Sequence, residues 1–304
     1  MRAYAALAAV CFFWGTTYLG IRIALESFSP IYLVAMRFTI SGAILLIAAK
    51  LLNAHFPKGR ELWLTALFGL LILGIGNMCL AFSEELIPSG LAAIFATTSP
   101  FWMVGLEAAR RGGDRLRAGA LLGMVVGMFG TVLLVGPAAM QGLGGPVLKG
   151  FLILQIGSAA WSLGSILQRH IETTANAIVS GAIQQFATGV LYSVLALLLP
   201  RERFQFTARG AGAVLYLIIF GSIVGYSAYL YALERLPVSI FTVYTYINPA
   251  VAVCLGWLFY REHFGWRELA AMAVILAGVA IVKKFGAHGA PRPVHTGDTV
   301  AARR

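Results

Sequence analysis

Residues 87–100 read IPSGLAAIFATTSP, and residues 236–249 read LPVSIFTVYTYINP. Both stretches have a proline at the second and at the last position, and the two copies lie 149 residues apart. Similar correspondences continue along the chain, so the sequence predicts two copies of one structural unit. Further pairs, at spacings of 147 or 148 residues, are Trp14 with Trp161, Gly42 with Gly189, Gly130 with Gly278 and Asp114 with Glu262.

Long stretches without charged residues decide the class of protein. The chain of 304 residues is 59% hydrophobic and 12% charged, whereas soluble domains carry about 25% charged residues. Eight stretches lack Asp, Glu, Lys and Arg and are long enough for a membrane span, which needs about 20 apolar residues. Two further spans are predicted at residues 30–49, interrupted by Arg37, and at residues 266–282. The eight stretches are 3–21, 62–83, 87–106, 118–148, 150–168, 173–200, 210–233 and 236–260.

Ten spans in two copies give five spans per copy. Because five is odd, the second copy must enter the membrane from the side opposite to the first. The predicted fold is therefore all-α and integral to the membrane, with ten transmembrane helices in two inverted five-helix repeats around a central cavity. We place the first repeat at residues 1–140, the second at residues 146–284 and a disordered, basic cytoplasmic tail at residues 285–304.

The basic residues favour an orientation of the chain in the membrane. The formal net charge is +11, but the positive charges lie in short loops and the tail, which is typical of membrane proteins and argues against a nucleic-acid partner. With both termini in the cytoplasm, 15 of the 23 Lys and Arg residues fall on the cytoplasmic side. Short loops and compact size favour a bacterial inner (plasma) membrane. The expected partners are the lipid bilayer and a small-molecule substrate, and a monomer is possible because ten spans can enclose a cavity.

Two prolines in mid-span mark the predicted transport site. Pro100 and Pro249 lie about halfway along spans 4 and 9, where each removes a backbone hydrogen bond and frees the carbonyl group four residues earlier. Paired interruptions at matching places in two repeats indicate a binding site with hinges. The alternative is an ordinary proline kink capped by Ser or Thr hydroxyl groups.

Polar and aromatic residues in mid-span are the candidates for the cavity lining. A Tyr hydroxyl group in hydrocarbon needs a hydrogen-bond partner or a watery cavity. For any one of these residues, plain core packing is the alternative interpretation. The predicted substrate-binding residues are Trp14, Tyr18, Asn77, Thr98, Trp102, Trp161, Tyr226, Tyr229, Tyr244 and Asn248.

Arg37 is the clearest ionisable residue within a span. It could snorkel outward or pair with Glu26 or Glu85, or it could attract a carboxylate; its counterpart in the second repeat is the uncharged Gln184. The absence of an acidic residue in mid-span argues against a buried carboxylate that exchanges protons for a cationic drug. No mid-span His, Asp or Glu is available for a catalytic site, so the sequence predicts no enzyme, and it predicts no metal site and no cofactor.

Together these features resemble the drug/metabolite transporter superfamily, and within it the EamA-like ten-span exporters. The resemblance implies a basket in which spans 1, 3, 4, 6, 8 and 9 surround the cavity, spans 5 and 10 lie outside, and the span 3–4 and 8–9 pairs tilt during alternating access. The nearest functional match is to the aromatic amino-acid exporters of the YddG-like group. The residues that carry the resemblance are Trp14-Gly15, Arg37-Phe38, Pro88 to Pro100, Pro237 to Pro249, and Glu262 to Gly278.

Two functions follow as hypotheses. The first is export of amino acids, aromatic or neutral, or of related metabolites, across the inner membrane by alternating access. The alternative is a multidrug or cationic-compound exporter of the same fold, in which the aromatic residues would form a cation–π cage.

Overall fold

The computed structural model describes residues 1–110, 118–140, 145–171, 174–199, 203–236, 244–262 and 264–285. Apart from one isolated bridge between Phe28 and Phe204, the regular structure in these ranges is helical. The predicted tail lies outside the described residues, except for Phe285. The helical elements are α1 (Arg2–Leu25), α2 (Pro30–Leu51), α3 (Arg60–Leu86), α4 (Ser89–Ala109), α5 (Ala118–Met140), α6 (Pro146–His170), α7 (Ala177–Leu198), α8 (Ala208–Arg235), α9 (Tyr244–Tyr260) and α10 (Trp266–Phe285).

Seven of these helices, α1–α4 and α6–α8, are long and apolar enough to cross a membrane. Helices α5 and α9 hold shorter apolar stretches, Ala118–Leu133 and Ile247–Tyr260. The prediction of an all-α protein with several membrane-crossing helices is confirmed for the part of the chain that the structure describes. That all ten helices cross the membrane, and that the two halves are inverted repeats, stays a prediction.

Helices α3 and α8 each contain a π-helical segment, a rare form that tends to occur at functional positions. Side chains from neighbouring helices donate to carbonyl groups within both segments. The Tyr192 hydroxyl group donates to Gly74 O at 3.1 Å, and Trp14 Nε1 donates to Gly221 O at 3.1 Å. These bonds tie α3 to α7 and α8 to α1. The two segments are Leu70–Ile75 and Leu217–Val224.

Helix α4 is interrupted at its predicted proline, whereas α9 is not. The first part of α4 ends at Ala96, and the second part begins at Ser99, directly before Pro100. Ser99 Oγ donates at 2.8 Å to the Ala96 carbonyl group, which Pro100 leaves without its helical donor. Helix α9 runs without a break through Pro249. The kink in α4 is thus capped by a hydroxyl group, as in the alternative interpretation, and movement at either proline stays a prediction.

Two pairs of helices approach each other through glycine. Gly42 of α2 faces the backbone of α7, and Gly189 of α7 faces the backbone of α2. Gly278 of α10 likewise faces the backbone of α5. A Cβ at any of these positions would collide with backbone atoms, so close packing requires glycine there. In the predicted repeat, α7 is the copy of α2, and α10 is the copy of α5.

Polar contacts close one end of the helical bundle. We call it the α1–α2 end, because it holds the connections after α1, α3, α7 and α9. Arg203 Nη2 lies 2.5 Å from Glu85 Oε1, and Arg209 Nη1 lies 3.4 Å from Glu26 Oε2. The Tyr260 hydroxyl group also donates to Glu26. These bonds join α3 to the segment before α8, and they join the end of α1 to α8 and α9.

Glu262 holds the start of α4 at the same end. Its carboxylate accepts hydrogen bonds from Ser89 N at 3.0 Å, Ser89 Oγ at 2.9 Å and Gly90 N at 3.1 Å. The first N–H groups of a helix have no partner within the helix, and a carboxylate suits them by charge as well. The residues of Ser89–Ala96 are mostly buried, whereas Pro100 is the buried residue of Ser99–Ala109. Helix α4 is therefore packed more tightly near the α1–α2 end.

Candidate functional site

A central cavity of about 120 Å³ lies between α1, α2, α3, α4, α6, α8 and α9. Within the described chain, α5 and α10 contribute no lining residue, as the family resemblance implies. Helix α2, which the resemblance does not place at the cavity, contributes Arg37 and Phe38. The lining residues with polar or aromatic side chains are Trp14, Thr17, Tyr18, Arg37, Phe38, Asn77, Thr97, Ser99, Ser158, Trp161, Tyr226, Tyr244, Thr245 and Asn248, and Pro249 lies among them.

Trp14 is the centre of an aromatic cluster on the cavity wall. Its ring stacks on Tyr229, with 4.8 Å between centroids and 26° between planes. Trp161 and Tyr244 meet it edge-on, at 5.4 Å and 5.8 Å. Stacked and edge-to-face pairs are the arrangements that aromatic rings prefer. The cluster therefore gives the cavity a rigid apolar wall.

Tyr229 is fully buried behind that wall and is not part of the lining. Trp161 Nε1 lies 3.2 Å from the Tyr229 hydroxyl oxygen, and Ser165 Oγ lies 3.0 Å from it. Because Tyr229 also stacks on Trp14, it contacts both tryptophans of the lining. Tyr229 is thus placed to position the two indoles.

Arg37 is the charged residue of the lining. It is only 6% exposed, its Nε donates to Ser222 Oγ at 2.7 Å, and its Nη1 donates to Asn77 Oδ1 at 3.3 Å. No acidic side chain of the described chain comes within ion-pair distance of Arg37. The two partners considered from the sequence are engaged elsewhere, Glu26 with Arg209 and Glu85 with Arg203. A guanidinium in a bundle interior with only neutral partners attracts an anionic ligand group.

Asn248 joins α9 to α1 at the cavity edge. In the amide orientation that satisfies its hydrogen bonds, its nitrogen donates to Cys11 O at 3.0 Å and to Tyr244 O at 3.2 Å. Asn248 is buried, so these bonds compensate for the loss of water by the amide. The bond from its side-chain amide to the Cys11 carbonyl group holds α9 against α1 beside the tryptophan cluster.

Three other predicted residues lie outside the lining. Thr98 Oγ1 and Trp102 Nε1 both donate to Gln155 Oε1 of α6, at 3.0 Å and 2.9 Å. Trp102 is 38% exposed, and Pro100 is buried at the start of the second part of α4. Thr98 and Trp102 fasten α4 to α6 beside the cavity, whereas the neighbouring Thr97 and Ser99 line it.

Several lining residues were missing from the sequence prediction. Thr17 lies one turn after Trp14, and Ser158 lies one turn before Trp161, so each shares a helix face with a predicted residue. That spacing is a signal in the sequence that could have identified both. Phe38 had no such signal, because nothing in the sequence shows that α2 reaches the cavity. No cluster of three or more His, Cys, Asp or Glu side chains occurs among the described residues, so none suggests a metal site.

Comparison with known proteins identifies the family. The model of the EamA-like transporter family matches residues 1–136 and 148–283. Over 282 residues the chain is 34% identical to an uncharacterized inner membrane transporter, YedA, of Escherichia coli (strain K12), with 92% of this chain and 90% of that protein covered. Over 278 residues it is 25% identical to a probable terminal-alkyne amino-acid exporter of Streptantibioticus cattleyicolor, with 89% and 90% covered.

A solved crystal structure has the same fold, with a TM-score of 0.69 over 92% of this chain and 96% of that one, at 22% sequence identity. The family match covers both halves of the chain, and the helices that can cross a membrane lie within it. The protein is therefore a multi-pass membrane protein, and it belongs to the EamA-like transporter family.

Proposed function

We propose that this transporter exports amino acids with aromatic or other large apolar side chains across the bacterial inner membrane by alternating access. The observation that carries the proposal is a single cavity lined both by Arg37, which has no acidic partner among the described residues, and by the tryptophan cluster. An amino acid has both complementary parts, a carboxylate and an apolar side chain.

The carboxylate would bind the Arg37 guanidinium, which Ser222 and Asn77 hold in place. Arginine and carboxylate form paired, charge-assisted hydrogen bonds, and each contributes about 1.5–3 kcal/mol. The substrate side chain would contact Trp14 and Trp161. Hydroxyl and amide oxygen atoms of the lining, such as Thr17 Oγ1, are available to the substrate ammonium group.

The same residue disfavours the alternative function. A cationic drug in this cavity would meet the positive charge of Arg37, and no Asp or Glu among the described lining residues would balance it. Like charges in a poorly hydrated site repel strongly. The relative that is named an amino-acid exporter supports the same substrate class.

The inverted-repeat architecture is part of this proposal. Two matches of the family model, to residues 1–136 and 148–283, support two copies of one unit. The contacts of α2 with α7 and of α5 with α10 support a two-fold relation, because each pair joins a helix to its own copy. With both termini in the cytoplasm, as the basic residues favour, the α1–α2 end faces outward, and the described state is closed on that side.

The test is uptake of radiolabelled L-phenylalanine, L-tryptophan, L-leucine and L-methionine into proteoliposomes that contain the purified protein. We expect uptake by the wild type and a loss of affinity of about tenfold or more in Arg37→Gln, which copies the residue at the equivalent position, Gln184. Arg267→Gln, an exposed arginine at the start of α10, is the matched control and should leave affinity unchanged.

A competitor separates the carboxylate contact from general damage. L-Phenylalaninamide, which lacks the carboxylate, should compete equally poorly in the wild type and in Arg37→Gln. If Arg37→Gln binds L-phenylalanine as the wild type does, or if no amino acid is taken up by folded wild-type protein, the proposal is wrong.

A further inference from the structure

Glu84 is the buried acidic group that the proposed transport site does not use. Its side chain is 0% exposed, and neither carboxyl oxygen has a hydrogen-bond partner within the described residues. Glu84 directly follows the uncharged stretch of residues 62–83. In the structure α3 continues to Leu86, and Glu84 is fully buried.

The position of Glu84 links it to both the cavity and the closed end. Leu73, Asn77 and Leu80 of α3 line the cavity, and Glu84 lies one helical turn beyond Leu80 on the same face. It therefore lies between the cavity and the contacts that close the α1–α2 end. A group in this position stays out of water while that end is closed.

Arg22 does not neutralise the Glu84 carboxyl group. Arg22 Nη1 donates at 2.6 Å to the backbone carbonyl group of Glu84, and the two side chains form no ion pair. Three nearby groups interact electrostatically with Glu84, namely Tyr18, Arg22 and Glu262. The charged and titratable groups on the surrounding elements are Tyr18 and Arg22 of α1, Arg37 of α2, Glu85 of α3 itself, Lys149 at the start of α6, and Glu262 after α9.

An ionised carboxylate without partners in a protein interior costs several kcal/mol, and such a group takes up a proton instead. Glu262 is itself occupied with the start of α4, so it supplies no donor to Glu84 and adds a second negative charge nearby. A neutral carboxyl group is therefore the form of Glu84 that this closed arrangement accommodates.

We propose that Glu84 is a proton-binding site of this transporter, and that the α1–α2 end closes only when Glu84 holds a proton. When that end opens, water reaches the carboxyl group, which gives its proton to water and is left as a carboxylate beside Arg22. Closing requires the reverse step, in which hydronium returns the proton. The inference rests on the proposed function for its role in transport, since alternating access includes the opening of this end.

The first test detects the proton itself. Infrared difference spectra of the purified protein in D₂O, between neutral and alkaline pH, should show the C=O stretching band of a protonated carboxyl group in the wild type. We expect Glu84→Gln to lack this band and Glu234→Gln, a carboxyl group at the other end of the bundle, to retain it. Absence of the band from the wild type, or its survival in Glu84→Gln, overturns the proposal.

The second test measures closure. The three native cysteines are first replaced by alanine. Spin labels are then attached at Leu86 and Phe206, both exposed at the α1–α2 end, and they report the distance between α3 and the segment before α8. As pH rises, the distance distribution of the wild type and of Glu234→Gln should shift to longer values, while Glu84→Gln should keep the short distance throughout. An equal shift in Glu84→Gln, or no shift in the wild type, contradicts the proposal.

Neither measurement uses a substrate. Failure of amino-acid transport would therefore overturn the proposed function and leave the proton site standing. A missing band or an unchanged pH response would overturn the proton site and leave the transport assay to decide the substrate.

Discussion

Trp14 packs directly on Gly225: a Cβ at Gly225 would lie 2.6 Å from Trp14 Nε1. Trp161, the counterpart of Trp14 in the predicted repeat, packs in the same way, because a Cβ at Gly76 would lie 3.0 Å from Trp161 Cε3. Each cavity tryptophan thus needs a glycine in the helix beside it, α8 in one case and α3 in the other. The glycines set the position of the indoles, and the indoles form the apolar wall of the cavity.

Gly225→Ala should therefore impair transport more than it impairs folding. The new methyl group would meet Trp14 Nε1 and, at 2.7 Å, the carbonyl oxygen of Phe220, which cannot yield easily. Overpacking of this kind costs about 1–3 kcal/mol, and here it also displaces the ring from the cavity wall. Amino-acid uptake and the thermal unfolding midpoint measure the two effects. Gly212→Ala, with open space around the new methyl group, is the control and should behave like the wild type.

The two neutral partners of Arg37 should differ in importance. Ser222 Oγ accepts from Nε at 2.7 Å, whereas Asn77 Oδ1 accepts from Nη1 at the longer distance of 3.3 Å. Ser222→Ala should weaken L-phenylalanine binding by about tenfold or more, the value of one hydrogen bond to a charged group. Asn77→Ala should weaken it less, since its bond to Arg37 is near the limit for hydrogen bonding. Scintillation proximity binding with labelled substrate would measure both, and a larger effect of Asn77→Ala would show that Asn77 contacts the substrate itself.

Substitutions of Trp102 and Trp161 should differ in their effect on the KM for substrate. Trp161 lines the cavity, whereas Trp102 donates to Gln155 outside it. Trp161→Phe removes an indole from the cavity wall and should raise the KM for L-tryptophan by about fivefold or more. Trp102→Phe should leave KM within about twofold, because it removes one partly exposed hydrogen bond. Equal shifts in KM for the two variants would place Trp102 at the substrate after all.

Glu262 should stabilise the start of α4 through its charge. Its carboxylate accepts three hydrogen bonds from Ser89 and Gly90. Glu262→Gln keeps the size of the side chain but removes the charge, and it should cost about 1 kcal/mol of stability at the helix N-terminus. The midpoint of thermal unfolding of the purified protein measures this loss of stability. Glu234→Gln is the control, because the Glu234 carboxylate pairs with the adjacent Arg235 in an exposed position, and it should change the midpoint little. An unchanged midpoint in Glu262→Gln would show that the cap contributes nothing.

Particular residues show how far the sequence could predict the candidate site. Trp14, Tyr18, Asn77, Trp161, Tyr226, Tyr244 and Asn248 were predicted from their mid-span positions, and all of them line the cavity. Thr98, Trp102 and Tyr229 were predicted by the same rule and lie outside the lining, because depth in the membrane does not determine which way a helix face points. Whether the lining residues bind substrate stays a prediction.

The sequence by itself determined the class of protein, through apolar stretches as long as a bilayer is thick and through a repeat at 147 to 149 residues. Those properties are local or periodic, so they can be read without coordinates. Only the tertiary structure decided that Arg37 faces the cavity with neutral partners and that Glu84 is buried without any. Partners of a side chain depend on the rotation and crossing of helices far apart in sequence, and those are set by packing at contacts such as Trp14 on Gly225.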